Sequence, residues 1–428
     1  MLSRPRILFV GQAVRPTGYA RVLTSLLERL HLDFELLHFG INYRGPVLEG
    51  AWRTVPNVRE GDILGREQLP ALLEDFRPAL VFFCHDAGLW PVHREAVRRA
   101  PGAPRAVFYC PIEWPFPRAS EAEPLRSLDQ LVAYTGFGHR VLEEAFERLE
   151  LEAGAPRSRP RLHQLPHGVD TTRFQPLGGD VSPEGLRASR VLARRALFPG
   201  RPELEHAFLV LNANRNCPRK RVDLTLRAFA DFARDKPDVW LYLHMGLRDV
   251  GVDILARAHE LGIAHRLLLT PHTGSRPDAP DAQLNLVYNA CDVGLNTATA
   301  EGWGLVAFEH AATGAAQVVP AHSACRELWR EHGLLVPTLE PPDNPHASAA
   351  TFNVIDTHAA AACLERLYWD RALLAEQSRR AYLHASAPCF HWDTLAARWR
   401  DLFLQVLGLS PGSSEKTPSL CPSQGCKG

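Results

Sequence analysis

The chain has 428 residues, enough for two or three domains at roughly 100–200 residues each, with a separate core in every one. Lys plus Arg and Asp plus Glu both number 48, so no global positive field exists to hold nucleic acid or an anionic membrane. Hydrophobic residues make up 46% and charged residues 22%, which excludes wholesale disorder.

No apolar run reaches the ~18–20 residues of a bilayer span. Ile7 to Val10, behind Arg4 and Arg6, is too short for the core of a signal peptide and reads as a first buried strand. The expected location is the cytoplasm, with at most peripheral contact at the inner membrane face. The nine cysteines include no CxxC pair and no zinc-ligand spacing, and their odd number does not complete a disulfide framework.

Short apolar runs at 6–10, 34–39, 80–84, 106–110 and 130–134 predict buried strands. Apolar residues three and four apart at 22–32 and 140–149 predict helices between them. A second series follows, with strands at 208–213, 240–245, 266–270, 293–297, 317–320 and 334–337 and helices at 223–235 and 305–313. Alternating strand and helix implies parallel sheets covered on both faces. The expected fold class is therefore α/β, with two Rossmann-like domains facing a cleft. The first is placed at 1–175 and the second at 176–375. A Gly/Pro-rich linker falls at 175–184, and a Pro-rich loop at 340–346. Helices over 376–409 are expected next, the last of them at 392–407, and then a disordered Ser/Pro/Gly-rich tail at 410–428.

In open parallel sheets ligands bind at the carboxyl ends of the strands, and there the sequence is most informative. After the strand at 293–297 come Glu301, Gly302, Trp303, Gly304 and Leu305, then a helix carrying Glu309. A glycine-rich turn opening a helix aims backbone N–H groups and the positive end of the dipole outward, which favours a diphosphate. Two glutamates eight apart would stand about 12 Å apart along a continuous helix. That is too far for one metal or one acid–base dyad, but suited to gripping the diols at two ends of a long ligand. After the strand at 208–213, Arg215 and Lys220 lie five apart in a Pro-containing loop that could turn both cations toward one anion. Arg219 and Arg221 add charge beside them.

These segments resemble the retaining glycosyltransferases of family 4, which have the GT-B fold. The Glu-x7-Glu stretch 301–309 looks like that family's hallmark, and 214–229 looks like its Arg-x4-Lys phosphate segment. Residues 165–176 are similar to its Asn-Gly-Val-Asp linker strand, with His167 in place of Asn. Residues 10–22 resemble its first glycine loop, with Gly18 where two glycines are common. Residues 82–90 match the place of a donor-side histidine, His85, and 391–399 resemble the last helix.

The resemblance implies a metal-independent transfer from a nucleotide-sugar to a glycan, lipid-linked or small acceptor, with no cofactor beyond that co-substrate. Arg215 and Lys220 would neutralise the leaving diphosphate, Glu301 would hold sugar hydroxyls and Glu309 the ribose. Gly302, Trp303, Gly304 and Leu305 would form the donor cradle. His85 would line the catalytic centre, and Gly18 would let the first loop approach the diphosphate. No Asp-x-Asp motif for a divalent ion occurs anywhere in the sequence.

Weaker candidates are Glu113 in a Pro-flanked loop after a strand, His167, and His139 with Arg140 at a helix start. The Arg-rich stretch 187–201 reads as a solvated helix, with anionic lipid as the alternative. A nucleotide-dependent oxidoreductase would need Gly-x-Gly-x-x-Gly after the first strand, and the loop from Gly11 to Gly18 does not supply it. A non-catalytic nucleotide-sugar or carbohydrate-binding protein, and a phosphorylase sharing the fold, stay open.

Overall fold

The computed structural model describes residues 4–14, 17–155, 158–247, 249–270, 279–339 and 353–409. They form two compact units: residues 4–168 with 388–409, and residues 169–387. The predicted loop at 340–346 and the tail at 410–428 lie outside the described residues.

The first unit runs β1 (Arg6–Gly11), α1 (Gly18–Leu30), β2 (Glu35–Gly40), β3 (Arg53–Pro56), α2 (Leu69–Phe76), β4 (Leu80–Cys84), α3 (Trp90–Arg99), β5 (Arg105–Cys110), β6 (Gln130–Ala133), α4 (Gly136–Ala153) and β7 (Arg161–Gln164). All seven strands are parallel, in the order β3-β2-β1-β4-β5-β6-β7. Ile7 to Val10 and Leu80 to Cys84 are fully buried, as expected of strands covered on both faces. One face packs Phe83 against Phe108 and Trp90. The other is closed by the last helix among the described residues, α13 (Trp392–Val406). Trp399 and Phe403 of α13 meet Phe82 edge-on at 5.0 and 5.4 Å. Phe9, Phe34 and Phe82 are at most 1% exposed, and burying each contributes about 1.5–3 kcal/mol. Arg29 Nε donates to Asp393 Oδ1 at 2.6 Å, which ties α1 to α13.

The second unit runs α5 (Pro183–Leu197), β8 (Phe208–Asn212), α6 (Val222–Ala233), β9 (Val239–Leu243), α7 (Ile254–Glu260), β10 (Leu267–Leu269), α8 (Asp281–Ala290), β11 (Val293–Leu295), α9 (Leu305–Ala312), β12 (Ala316–Pro320), α10 (Ser323–Trp329), β13 (Leu334–Val336), α11 (Thr357–Trp369) and α12 (Arg371–Ala385). Its six parallel strands stand in the order β10-β9-β8-β11-β12-β13. The chain steps outward from β8 through β9 to β10, then returns to β11 on the other side. The switch point is therefore β8/β11 here and β1/β4 in the first unit.

Two strands escape the sequence reading for a physical reason. Edge strands β3 and β7 each carry a four-residue segment without an apolar run (Arg-Thr-Val-Pro and Arg-Leu-His-Gln), and every residue of β7 is at least partly exposed. Of the final helices, α12 goes with the second unit and α13 with the first. The Gly/Pro-rich segment at 175–184 is fastened rather than loose. The amide of Gln175 donates to Asn285 Oδ1, that of Leu177 to Asn289 Oδ1, and Asn289 Nδ2 donates to the Gln175 carbonyl.

The stretch 187–201 is solvated on one side only: Arg187 and Arg195 are exposed, as a solvated helix requires, and two other arginines are not. Helix α5 opens with Ser182 capping the Gly185 amide, but turns Arg190 and Arg194 inward, 8% and 3% exposed. Arg194 donates to the carbonyls of Ala290, Glu205 and Ala207 and to Asp292 Oδ2 at 2.7 Å. Arg190 Nε stands 3.1 Å from Asp292 Oδ1, and the Leu209 amide also donates to Asp292. These two charges anchor α5 beneath β8 and β11 and are taken up inside the unit. Replacing Asp292 with Asn leaves two buried guanidiniums without a counter-charge, a loss of roughly 3–5 kcal/mol. The expected result is a thermal transition lowered by about 10 °C, measured by calorimetry.

Candidate functional site

At the carboxyl edge of the second sheet two loops are zipped together. The Thr299 amide donates to the Arg219 carbonyl at 2.9 Å, and Thr297 Oγ1 lies 3.0 Å from the Lys220 carbonyl oxygen. Thr225 Oγ1 contacts Thr297 Oγ1 at 2.7 Å and accepts from Asn212 Nδ2 at 2.8 Å. Asn296 Oδ1 accepts from the Ala298 amide. This scaffold fixes the segment after β8 against the segment after β11.

On it sits a buried ion pair. Lys220 Nζ donates to Glu301 Oε1, with both side chains at most 10% exposed. Asn296 Nδ2 donates to the same oxygen at 3.0 Å, and Arg219 Nη1 stands 3.6 Å from Glu301 Oε2. Burial alone would raise the Glu301 carboxyl, but Lys220, Arg219 and the two hydrogen bonds outweigh it, so the net shift is downward and Glu301 is ionised.

Glu309 is also buried, and its Oε2 accepts from the Tyr288 hydroxyl at 2.9 Å. Helix α9 begins only at Leu305, so Glu301 lies in the preceding loop and the continuous-helix spacing does not apply. Gly304 takes φ +92°, a left-handed conformation that glycine adopts without strain, and this turns the chain into α9. The first amides of α9 have no intrahelical acceptor by geometry. Trp303 is buried and stacked on Phe308 at 4.8 Å, which anchors the turn. A small depression between β8, β11 and α9 is lined by Asn212, Asn214, Asn296, Glu301, Gly304 and His310.

Arg215 does not join Lys220. Its guanidinium forms a two-pronged pair with Asp249 at 2.6 and 2.9 Å, so the two cations expected on one anion instead serve separate carboxylates. Arg221 pairs with Asp223. Asp249, Asn296 and Tyr288 were not singled out in the sequence. Asp249 lies 34 residues from its partner, and only the fold brings the two together.

The first unit has its own polar corner at β1/β4. The Tyr19 ring stacks on His85 at 4.9 Å and 11°, and its hydroxyl donates to Asp86 Oδ1 at 2.6 Å. His85 Nδ1 stands 3.6 Å from Asp86 Oδ2, and Gln12 Nε2 stands 3.5 Å from His85 Nε2. Burial lowers His85 against the opposing pull of Asp86, so the ring is neutral. Gly18 is the first residue of α1, whose cap is Thr17. Glu113 is close enough to Tyr19 to add to the rise of its hydroxyl, which burial and Asp86 dominate.

His167 is interior: its Nδ1 meets the Tyr109 hydroxyl at 2.8 Å and its ring lies 3.9 Å from Tyr134. His139 pairs with Glu143 one turn along α4. Among the described residues no three His, Cys, Asp or Glu side chains gather as a metal site, and no helix is long and apolar enough to cross a membrane.

The class defined by two such parallel-sheet units and a closing C-terminal helix is the GT-B fold. Sucrose-phosphate synthase from Thermosynechococcus elongatus aligns over 95% of this chain and 99% of its own, with a TM-score of 0.68 at 18% identity. HepE of Anabaena, solved in complex with UDP-glucose, aligns over 94% and 99% with a TM-score of 0.65 at 15% identity. Residues 207–353, which hold Arg215, Lys220, Glu301 and Glu309, match the family model described as Glycosyl transferases group 1. In sequence the chain is similar to D-inositol 3-phosphate glycosyltransferase of Nocardia farcinica, 30% identical over 282 residues, or 64% of this chain and 51% of that protein. The chain thus spans about half the length of the curated relatives it matches.

Proposed function

We propose that the chain is a glycosyltransferase of the retaining family 4 type, moving a sugar from a nucleoside-diphosphate-sugar to a hydroxyl-bearing acceptor. The observation that carries the reading is the buried Lys220–Glu301 pair beside the start of α9, at the switch point of the second sheet, inside the group 1 match. The names of the sequence relatives support glycosyl transfer, and the complex of one structural neighbour with UDP-glucose supports this class of donor.

In the reaction the bond from the anomeric carbon to the diphosphate oxygen breaks and the acceptor oxygen bonds to that carbon. The acceptor proton passes to the departing phosphate, so no enzyme base is required. Negative charge grows on the leaving group, and preorganised cations and amides stabilise it. Lys220 and the amides of Gly304 and Leu305 take that part, with Arg215 joining once it leaves Asp249. Glu301 accepts sugar hydroxyls and Glu309 the ribose hydroxyls. These residues, rather than a divalent ion, carry the charge neutralisation, so EDTA should leave the rate unchanged.

The test is a thermal-shift panel of UDP, GDP, ADP, TDP and CMP, followed by the matching sugars. A diphosphate at 100 times its dissociation constant should stabilise the protein by about 2.7 kcal/mol. Glu309→Ala should weaken every nucleotide, while Glu301→Ala should weaken the sugar donors more than the free diphosphates. An undiminished shift in the Arg215→Ala/Lys220→Ala double variant would show that the diphosphate binds elsewhere.

A further inference from the structure

The second unit has another cavity, at the opposite edge of its sheet. Residues 330–333 lead into β13, so they lie at the amino ends of the strands, whereas the Glu301 loop follows β11 at the carboxyl ends. There a cavity of about 660 Å³ is lined by Arg330, Glu331, His332, Gly333, Gln377 and Arg380. That volume falls within the roughly 300–1,000 Å³ of small-molecule sites.

Its chemistry is mixed in a specific way. Arg330 and Arg380 are exposed at the side chain, 62% and 49%, and pair with Glu331 and Glu376. A guanidinium has five N–H donors and one carboxylate engages only part of that fork, so both can still receive a phosphate. Gln377 is only 8% exposed, and its Oε1 has no hydrogen-bond partner. A buried amide oxygen without a donor is costly, and an anion cannot satisfy it, but a hydroxyl can once the Gln377 side chain turns toward the cavity. Glu331 offers a second acceptor. Cationic forks beside acceptors match a ligand that carries both a phosphate and hydroxyl groups.

The wall is preorganised. His332 stacks on His384 at 4.0 Å and 10°, His384 lies 5.2 Å from Phe308, and Trp329 closes on both His384 and Phe308. Gly333 lies tight against β12, because an added Cβ would come within 2.9 Å of the Gln317 carbonyl.

We propose that this cavity binds a sugar phosphate, with Arg330 and Arg380 on the phosphate and Gln377 and Glu331 on the hydroxyls, as a site separate from the one at Lys220 and Glu301. The geometry behind the inference is independent of the transferase reading; only the UDP arm of its test rests on that reading, with UDP standing for whichever nucleoside diphosphate the thermal-shift panel finds. Isothermal titration of the full chain with glucose 6-phosphate, inorganic phosphate and glucose, each with and without UDP, tests it. Glucose 6-phosphate should bind saturably and at least about tenfold more tightly than either fragment, and UDP should not displace it. Arg330→Ala/Arg380→Ala should weaken it by about 10–100-fold, and Gln377→Leu should weaken glucose 6-phosphate while leaving inorganic phosphate unchanged. Both arginines are exposed, so the double variant should keep its thermal transition and its response to UDP. No saturable binding, displacement by UDP, or undiminished affinity in the folded double variant would overturn the proposal.

Discussion

Replacing Lys220 with alanine should lower sugar transfer by about a thousandfold and destabilise the unliganded protein, and the two effects should be separable. Glu301 is buried and ionised, and Lys220 is its principal counter-charge. Removing one partner of a buried pair leaves the other charge stranded, at roughly 3–5 kcal/mol, with Arg219 at 3.6 Å and Asn296 recovering part of it. Lys220→Met with Glu301→Gln removes both charges, keeps the Asn296 contact with the side-chain oxygen and approximates the volumes. That double variant should regain most of the lost thermal stability, yet transfer should stay as low as in Lys220→Ala. The catalytic part of the loss is the missing cation at the leaving diphosphate together with a weakened grip on the sugar. Initial rates with the donor found in the thermal-shift panel, beside melting curves, make the comparison. Transfer that recovers along with stability would mean the pair is structural only.

Much of this site was legible because its parts sit in local sequence contexts with a physical meaning. Gly302-Trp303-Gly304 after an apolar run announces a turn into a helix, and Gly304 at φ +92° is that turn. Leu80 to Cys84 and Phe208 onward announce fully buried parallel strands because no alternation interrupts them. What could not be read was which charges find each other. Arg215 and Lys220 are close in sequence, yet the loop is pinned by Thr299 to the Arg219 carbonyl and sends Arg215 to Asp249 and Lys220 to Glu301. The arginines at 190 and 194 looked solvated because helical periodicity cannot reveal an aspartate that arrives at residue 292. Tyr19 follows Gly18 where a second glycine is common in the resembling family. In the fold it supplies a ring for His85 and a hydroxyl for Asp86.

Acid should unfold the protein above the pH at which its carboxylates titrate, because desolvation holds five histidines as neutral rings. Burial holds His38 and His93 at about 4 and His167, His310 and His384 at about 3. In the unfolded chain each would titrate near 6.5. A folded value below the unfolded one means the stabilising effect is complete above about pH 6.5. It is lost as pH falls from there toward 4 and 3, since the unfolded state takes up the protons. At pH 5 each such histidine disfavours the folded state by about 2 kcal/mol. Three of them lie in the first unit and two in the second. Three together approach the ~5–15 kcal/mol that holds a whole domain, so the first unit should open first, with a midpoint near pH 5. His38 Nε2 is buried without a hydrogen-bond partner, so methionine should replace it at little cost near pH 7.5 and move the midpoint to lower pH. Tryptophan fluorescence and far-ultraviolet circular dichroism across pH 4–8 follow the transition, and its steepness reports the protons taken up. A midpoint below pH 4, unmoved by His38→Met and with uptake of about one proton, would show that these rings are not held neutral by the fold.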